Sequence, residues 1–180
     1  MITKEKKKAL AYKLKKEFCQ KKGKEKFLFK GKSMYPILQE GDRVIVKYLK
    51  PSELKFGNII VYQTEDKYVI HRYLYSSKKS AIIAKGDNCF FRDLPFSNQN
   101  LLGKLITIHR NEKVIYLNTF STKLAAKIIA LFSIFEAVTC ELIRSVIFSH
   151  TKINPKFKQK GKSVFSKLKS IMLKILFKLT

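Results

Sequence analysis

The middle of the sequence consists of short apolar runs, rich in Val, Ile and Tyr, that are separated by glycine-containing turns at Gly41, Gly57, Gly86 and Gly103. Short β-branched and aromatic runs bounded by Gly, Asn or Asp are typical of strands. Seven such runs within about ninety residues favour a compact, mostly antiparallel β-domain. We therefore predict a mainly β fold with strands at 27–29, 43–48, 58–62, 68–75, 81–84, 104–109 and 113–117.

Helical patterns are confined to the two ends of the chain. Residues 3–20 have the spacing of a short amphipathic helix, and 163–180 have that of a basic amphipathic helix without acidic residues. The hydrophobic stretch 122–149 contains Glu136 and Glu141, which are costly to bury in a bilayer, so we expect it to pack on protein or lie shallowly in a membrane. The predicted units are a basic N-terminal helix (1–26), a β-rich domain (27–118), a hydrophobic helical segment (119–150) and a basic linker with an amphipathic helix (151–180).

The net charge of +25 arises from 38 basic and 13 acidic residues, and most of it lies in the two ends. Residues 1–30 and 151–180 each contribute +9, while 31–150 contribute +7. Lysine accounts for 33 of the basic residues, and direct reading of nucleic-acid bases relies mainly on arginine. Codon bias explains a lysine excess equally well. We expect contact with an anionic membrane surface through the C-terminal helix, and no specific nucleic acid.

Three cysteines, Cys19, Cys89 and Cys140, are widely spaced and form no C-x-x-C pair. This spacing argues against a disulfide framework and against a zinc site, and we expect no metal and no cofactor. The first thirty residues contain no apolar segment of the kind found in secretory signal peptides. We therefore expect a peripheral membrane or cytoplasmic protein.

Four side chains in the central region have the chemistry of a hydrolytic site. Ser33 lies in the turn Gly31-Lys-Ser-Met-Tyr-Pro36, and His71 lies inside an apolar strand, in Val-Ile-His-Arg. Asp87 follows in Lys-Gly-Asp-Asn, and Asp93 comes six residues later. A serine nucleophile needs a base within hydrogen-bond reach and donors for the oxyanion. Taken singly, each residue has an ordinary explanation: a turn serine, a core histidine and two loop aspartates.

The order of these motifs, from about residue 30 to 108, resembles that of the signal peptidase I family. It is most similar to the endoplasmic-reticulum and archaeal branch, in which a histidine replaces the lysine base. The resemblance implies that Ser33 is the nucleophile, His71 the general base, and Asp93 the group that orients His71. It implies that Asp87 either shares that task or fixes the turn that carries Asp93. It also implies a peptide or preprotein substrate bound as an added β-strand.

The sequence also departs from that family. Signal peptidases normally begin with a transmembrane helix, whereas this sequence begins with a lysine-rich amphipathic stretch. The helical, basic C-terminal third is not required by the family core, although some small bacterial relatives share it. Gly31 stands where some members supply an oxyanion hydroxyl, and Cys89 replaces the second Asn of the Gly-Asp-Asn-Asn pattern. Serine peptidase chemistry is therefore better supported than removal of secretory signal peptides.

Three functions follow from the sequence. The first is a serine endopeptidase of signal-peptidase type that cleaves leader or signal peptides. The second is a non-catalytic, membrane-surface binding protein on the same fold. The third is a regulator similar to the self-cleaving repressors that share the peptidase fold. The scarcity of arginine and the short stretch before Ser33, which is smaller than a helix-turn-helix domain, disfavour this third function.

Overall fold

The computed structural model describes residues 21–64, 67–77 and 81–150, together with isolated positions elsewhere. The helix predicted over 3–20 lies for the most part outside the described residues. The basic linker and amphipathic helix predicted over 151–180 also lie outside them, apart from position 171. The division of the chain into four units stays a prediction.

Eight antiparallel strands form one curled sheet, which confirms the mainly β fold class. The order of the strands is β1-β2-β7-β3-β4-β5-β6, and β8 pairs with β7 beside β3. The strands are β1 (Lys24–Leu28), β2 (Arg43–Tyr48), β3 (Ile59–Gln63), β4 (Tyr68–Ser76), β5 (Ala81–Lys85), β6 (Phe96–Ser97), β7 (Leu101–Arg110) and β8 (Lys113–Tyr116). Short 3-10 turns at Pro51–Glu53 and Asn98–Asn100 precede β3 and β7. One long helix, α1, extends from Phe120 to His150.

The sequence predicted seven of these strands with small errors at their ends, and it missed the two-residue strand β6. The interpretation of Gly103 as a turn was wrong, because this residue lies inside β7 and pairs with Tyr48 of β2. A Cβ atom at Gly103 would lie 2.3 Å from the Lys47 carbonyl oxygen. The glycine therefore allows two strands to approach closely, which is a common reason for glycine inside a strand.

The main hydrophobic core lies between the sheet, the loop that follows β1 and the first turns of α1. It contains Met34 and Leu38 from that loop and Ile129 from the helix, all with almost no exposed surface. The helix begins where the Thr119 hydroxyl accepts a hydrogen bond from the Thr122 backbone N–H at 3.3 Å. Small residues line its packed face, because Ala125, Ala130, Ser133 and Ala137 are all fully buried.

Glycine 57 allows α1 to pack closely on the sheet. A Cβ atom at Gly57 would lie 2.7 Å from the backbone oxygen of Ala126, so a side chain there would displace the helix. Gly57 also has a φ of +86°, which favours glycine. The turn before β3 and the second turn of α1 therefore depend on the same residue.

The two glutamates of α1 form ion pairs with a lysine at the end of β5 and with an arginine in the segment after it. Lys85 Nζ lies 2.8 Å from the Glu136 carboxylate, and both side chains are almost completely buried. Arg92 Nε lies 2.9 Å from the Glu141 carboxylate in a partly exposed pair. The stretch predicted as a hydrophobic helix over 122–149 is thus helical, and one of its faces packs on the sheet. Within the described residues no helix combines the length and apolar character needed to cross a bilayer.

We predict that Glu136→Ala lowers the free energy of unfolding by about 3–5 kcal/mol, because it leaves the Lys85 ammonium buried without a counter-ion. Glu141→Ala is the matched control and should cost no more than about 1 kcal/mol, because its ion pair with Arg92 is partly exposed. Urea denaturation followed by circular dichroism measures both values. Equal losses of unfolding free energy in the two variants would contradict the larger effect expected for the buried ion pair.

Candidate active site

The loop between β1 and β2 presents Ser33 from a closed and well-anchored turn. The Phe29 N–H donates to the Asp42 carbonyl at 2.8 Å, and the Gly41 N–H donates to the Phe29 carbonyl at 3.0 Å, which closes the base of the loop. Met34, the residue after Ser33, is fully buried. A half-buried serine held next to a buried anchor has few conformations available, which favours a fixed position for its hydroxyl.

The Gly41-Asp42 turn fixes the far end of the same loop. The Arg110 guanidinium donates to both Asp42 carboxylate oxygens, at 2.9 and 2.7 Å, and to the Ile37 carbonyl at 2.9 Å. A two-pronged arginine–carboxylate pair constrains geometry as well as contributing energy. Arg110 of β7 thereby joins both halves of the Ser33 loop to the sheet.

His71 lies in the middle of β4, opposite Ile60 of β3, and its ring is largely buried. Its Nδ1 atom lies 2.7 Å from Oδ2 of Asp93. Asp93 follows β5, and its backbone N–H donates to the Ala84 carbonyl at 2.8 Å. This attachment to β5 holds the carboxylate beside β4. A carboxylate at Nδ1 orients the imidazole and leaves Nε2 as the nitrogen that faces a reacting group.

The Gly86 turn brings the Ser33 loop next to this imidazole. A Cβ atom at Gly86 would lie 3.0 Å from Nε2 of His71 and 2.8 Å from the Ser33 carbonyl oxygen. The Asn88 backbone N–H donates to that carbonyl at 2.8 Å, and the Asn88 side-chain amide donates to the Lys32 carbonyl at 3.1 Å. The absence of a side chain at Gly86 therefore lets the Ser33 loop and His71 meet at one point.

Among the described residues, no hydrogen bond joins the Ser33 hydroxyl to His71, and the Ser33 backbone N–H donates none. Hydrogen bonds between catalytic groups are often long without substrate and shorten in the complex. The Ser33 N–H is therefore placed to donate a hydrogen bond to a developing oxyanion.

Asp87 is held away from solvent by Arg72, the residue that follows His71. The Arg72 guanidinium donates to both carboxylate oxygens, at 2.8 and 2.6 Å, and to the Gly57 carbonyl at 2.8 Å. Both side chains are almost completely buried. Of the two aspartates, the structure thus places Asp93 at the imidazole and Asp87 at the neighbouring guanidinium. This arrangement corresponds to the second of the two roles considered for Asp87, that of fixing the turn.

Tyr62 of β3 is a further member of the cluster that the sequence interpretation missed. Its O–H donates to Oδ2 of Asp93 at 2.8 Å, the same oxygen that binds His71, and its ring stacks on Phe96 at 3.9 Å. Burial, followed by the negative charge of Asp93, raises the pKa of Tyr62 well above its usual range. The phenol is therefore a permanent donor and not a base. In the sequence, Tyr62 looks like an ordinary core aromatic residue. Only the pairing of β3 with β4, which brings Tyr62 close to His71, would have indicated its place in the cluster.

Metal chemistry finds no support in this cluster. Within the described part of the chain, no three His, Cys, Asp or Glu side chains lie together in a way that would hold a metal ion. Within the described residues, neither Cys89 nor Cys140 takes part in a disulfide bond. The chemistry available to the described residues is that of a hydroxyl, an imidazole and a carboxylate.

Comparison with known proteins gives a match to one protein family over the part of the chain that contains the cluster. The family model described as Peptidase S24-like matches residues 2–106, more than half of the chain, and this range contains Ser33, His71, Asp87 and Asp93. A search of the curated proteins finds no match. The family match supports the broader superfamily that includes signal peptidases and self-cleaving repressors. The narrower assignment to the endoplasmic-reticulum and archaeal branch stays a prediction.

The two aspartates should respond differently to the loss of their charge. We predict that Asp87→Asn lowers the free energy of unfolding by about 3–5 kcal/mol, because Arg72 remains buried without its counter-ion. Asp93→Asn should cost only about 1 kcal/mol, since its side chain is partly exposed and the amide oxygen still accepts from Tyr62. Urea denaturation of both variants measures the difference. A larger loss for Asp93→Asn would contradict the structural role of Asp87.

Proposed function

Because the chain belongs to the Peptidase S24-like family and carries Ser33 beside a His71–Asp93 pair, we propose that it is a serine endopeptidase. The observation that carries the proposal is the 2.7 Å contact between His71 Nδ1 and Asp93, with Nε2 of the same ring bordering the Gly86 turn that holds Ser33. A hydroxyl, a base and an orienting acid that lie side by side have the roles of a catalytic triad, whatever their order along the chain.

In the proposed reaction the Ser33 oxygen attacks the carbonyl carbon of the scissile peptide bond, while Nε2 of His71 takes the hydroxyl proton. The negative charge that forms on the carbonyl oxygen is stabilised by the Ser33 backbone N–H. His71 then gives its proton to the leaving amine, which leaves an acyl-enzyme. A water molecule, deprotonated by the same imidazole, releases the acyl group and restores Ser33.

Asp93 and Tyr62 act on this reaction through His71. A carboxylate at Nδ1 stabilises the imidazolium that forms when Nε2 takes the proton. The Tyr62 hydroxyl, which donates to Oδ2 of Asp93, holds that carboxylate in place. Both are positioning residues, since neither contacts the scissile bond.

We propose leader or signal peptides as the substrates, on the resemblance of the motif order to signal peptidase I. An extended peptide would bind as an added strand and place its scissile bond between Ser33 and His71. The charge of the chain, +25 in total, is consistent with work at an anionic membrane surface, either as a peripheral membrane protein or as a cytoplasmic protein that visits the membrane. A non-catalytic membrane-binding protein on this fold would keep the charge without the reaction.

A second candidate function is self-cleavage, as in the repressors that share the peptidase fold. The Peptidase S24-like match favours it, because that superfamily includes such regulators as well as peptidases. The same three side chains would then act on a peptide bond of their own chain. Both functions need the same chemistry and differ in whether the scissile bond comes from another molecule.

We predict that Ser33→Ala lowers the rate of peptide cleavage by at least about a thousandfold, because the nucleophile is lost. His71→Ala should be similarly inactive, while Ser97→Ala is a matched control that removes an exposed hydroxyl outside the cluster. Cleavage of a leader-peptide library, followed by mass spectrometry, measures the rates, and circular dichroism checks folding. Cleavage by Ser33→Ala at the wild-type rate would exclude the proposed nucleophile.

The two candidate functions predict different kinetics. For a peptidase acting on other molecules, purified wild-type protein should cleave a leader-peptide substrate at a rate that rises with wild-type concentration, while its own chain stays intact. For self-cleavage, the rate constant for loss of the wild-type chain should be independent of its concentration, and the Ser33→Ala chain should stay intact. Gel electrophoresis over a wide range of concentrations distinguishes the two. Loss of the wild-type chain with a rate constant that does not depend on concentration, together with an uncleaved leader peptide, would exclude the first function and favour the second.

A further inference from the structure

A cavity of about 370 Å³ lies between the first turns of α1 and the sheet, apart from the candidate active site. Its sides are the turn before β3, the middle of β7 and the helix residues 120–127. Arg72 borders it, whereas the preceding residue, His71, faces Asp93. Since neighbouring residues of a strand point to opposite faces, the Arg72 and His71 side chains leave β4 on opposite faces. The Ser33 loop also reaches the cavity, because its Ile37 lines it.

Four lysines surround this cavity without an acidic partner in its lining. They are Lys55, Lys104, Lys123 and Lys127, and no Asp or Glu is among the lining residues. Burial, followed by the positive charges of Lys47, Lys55 and Lys123, lowers the pKa of Lys104, and the negative charge of Glu53 opposes this shift. The lysines therefore repel one another, and a bound anion would relieve that repulsion.

The floor of the cavity is apolar, so its chemistry is mixed. Phe56, Leu105 and Leu117 line it together with Leu124 of the helix. Binding sites for small molecules commonly combine an apolar lining with a few charged groups that fix orientation. This combination fits an amphiphile with an anionic headgroup better than a free inorganic anion.

An exposed apolar stripe on α1 begins at the lip of the cavity. Phe120 is 83 % exposed, Leu131 is 60 % exposed and Leu142 is 61 % exposed. With Leu124 and Val138, which are also exposed, they recur at intervals of four or seven positions and share one face of the helix. Lys123 and Lys127 flank the start of this stripe. A helix with an exposed apolar face bordered by lysines is typical of an interfacial helix.

We propose that the cavity binds the headgroup of an anionic phospholipid, with α1 lying along the membrane surface. The four lysines would contact the phosphate, and the apolar stripe would enter the boundary between headgroups and acyl chains. Charge complementarity favours this occupant. The lysines match the anionic headgroups of a bilayer, and the neighbouring apolar helix face matches its acyl chains. The site lies within the described residues and does not depend on the lysines of 151–180.

The first test measures binding of the full chain to vesicles by co-flotation. Vesicles of phosphatidylcholine with an equal amount of phosphatidylglycerol are compared with vesicles of phosphatidylcholine alone. The cavity variant carries Lys→Gln at 55, 104, 123 and 127. The matched control carries Lys→Gln at 24, 26, 30 and 67, exposed positions that remove the same charge outside the cavity.

Binding of the wild-type chain should require phosphatidylglycerol. The cavity variant should bind at least about tenfold more weakly than wild type, and the control less than about threefold more weakly. Equal losses in both variants would mean that net charge alone drives binding and would overturn the proposal. Equal binding of wild type to both kinds of vesicle, or to neither, would overturn it as well.

A second pair of variants tests the apolar stripe at constant charge. Leu124→Ser with Leu131→Ser should weaken binding to phosphatidylglycerol vesicles by about tenfold. Leu28→Ser with Val114→Ser, which removes exposed apolar side chains from β1 and β8, should leave binding within about twofold of wild type. All four positions are exposed, and circular dichroism confirms folding. Equal behaviour of the two pairs would contradict docking through α1.

The third test separates a phospholipid from other anions. Short-chain phosphatidylglycerol, inorganic phosphate and a glutamate-rich peptide are titrated separately while the backbone amide signals of Gly57 and Leu124 are followed by NMR. Saturable shifts are expected with the lipid and weaker, non-saturating ones with phosphate and peptide. Shifts with phosphate as large as those with the lipid would mean that the site binds anions in general. Larger shifts with the peptide than with the lipid would indicate a protein partner. Either result would overturn the lipid assignment.

Discussion

The buried pair between Arg72 and Asp87 is the contact on which the arrangement of the site depends. The guanidinium binds both carboxylate oxygens and the Gly57 carbonyl, so it joins β4, the turn after β5 and the turn before β3. On one side of Asp87, Gly86 borders His71 and Ser33; on the other, Asn88 donates to the Ser33 carbonyl. A buried pair costs desolvation energy, so its value here lies in fixing geometry rather than in adding stability.

A second buried pair extends this framework to the helix. Lys85 immediately precedes Gly86 and binds Glu136 of α1, so the turn that holds Ser33 is attached to the helix as well as to β4. The helix therefore has two faces with different partners. Its packed face carries Glu136 and small residues against the sheet, and its exposed apolar stripe is free to meet a membrane. The proposed membrane contact would then use the exposed face of α1, while the packed face is tied through Glu136 and Lys85 to the turn beside Ser33.

Much of the fold and part of the site could be predicted from the sequence because their signals are local. The β-branched runs located seven strands, and the order of the Ser33, His71 and Asp93 motifs located the cluster. The contacts that were missed join residues far apart: Tyr62 binds Asp93 across 31 positions, and Lys85 binds Glu136 across 51. Neither Tyr62 nor Glu136 differs in its local sequence from an ordinary core or helix residue. Gly103 was misplaced for the same reason, since its close neighbour belongs to another strand.

We propose above all that Ser33 is a nucleophile activated by His71. Covalent labelling with a serine-directed fluorophosphonate, mapped by mass spectrometry in the wild-type chain and in His71→Ala, tests it most directly. We expect a label on Ser33 in the wild type that falls sharply in His71→Ala, because the imidazole no longer accepts the hydroxyl proton. A label of equal strength on Ser33 in both chains, or one found on other hydroxyls and not on Ser33, would contradict it.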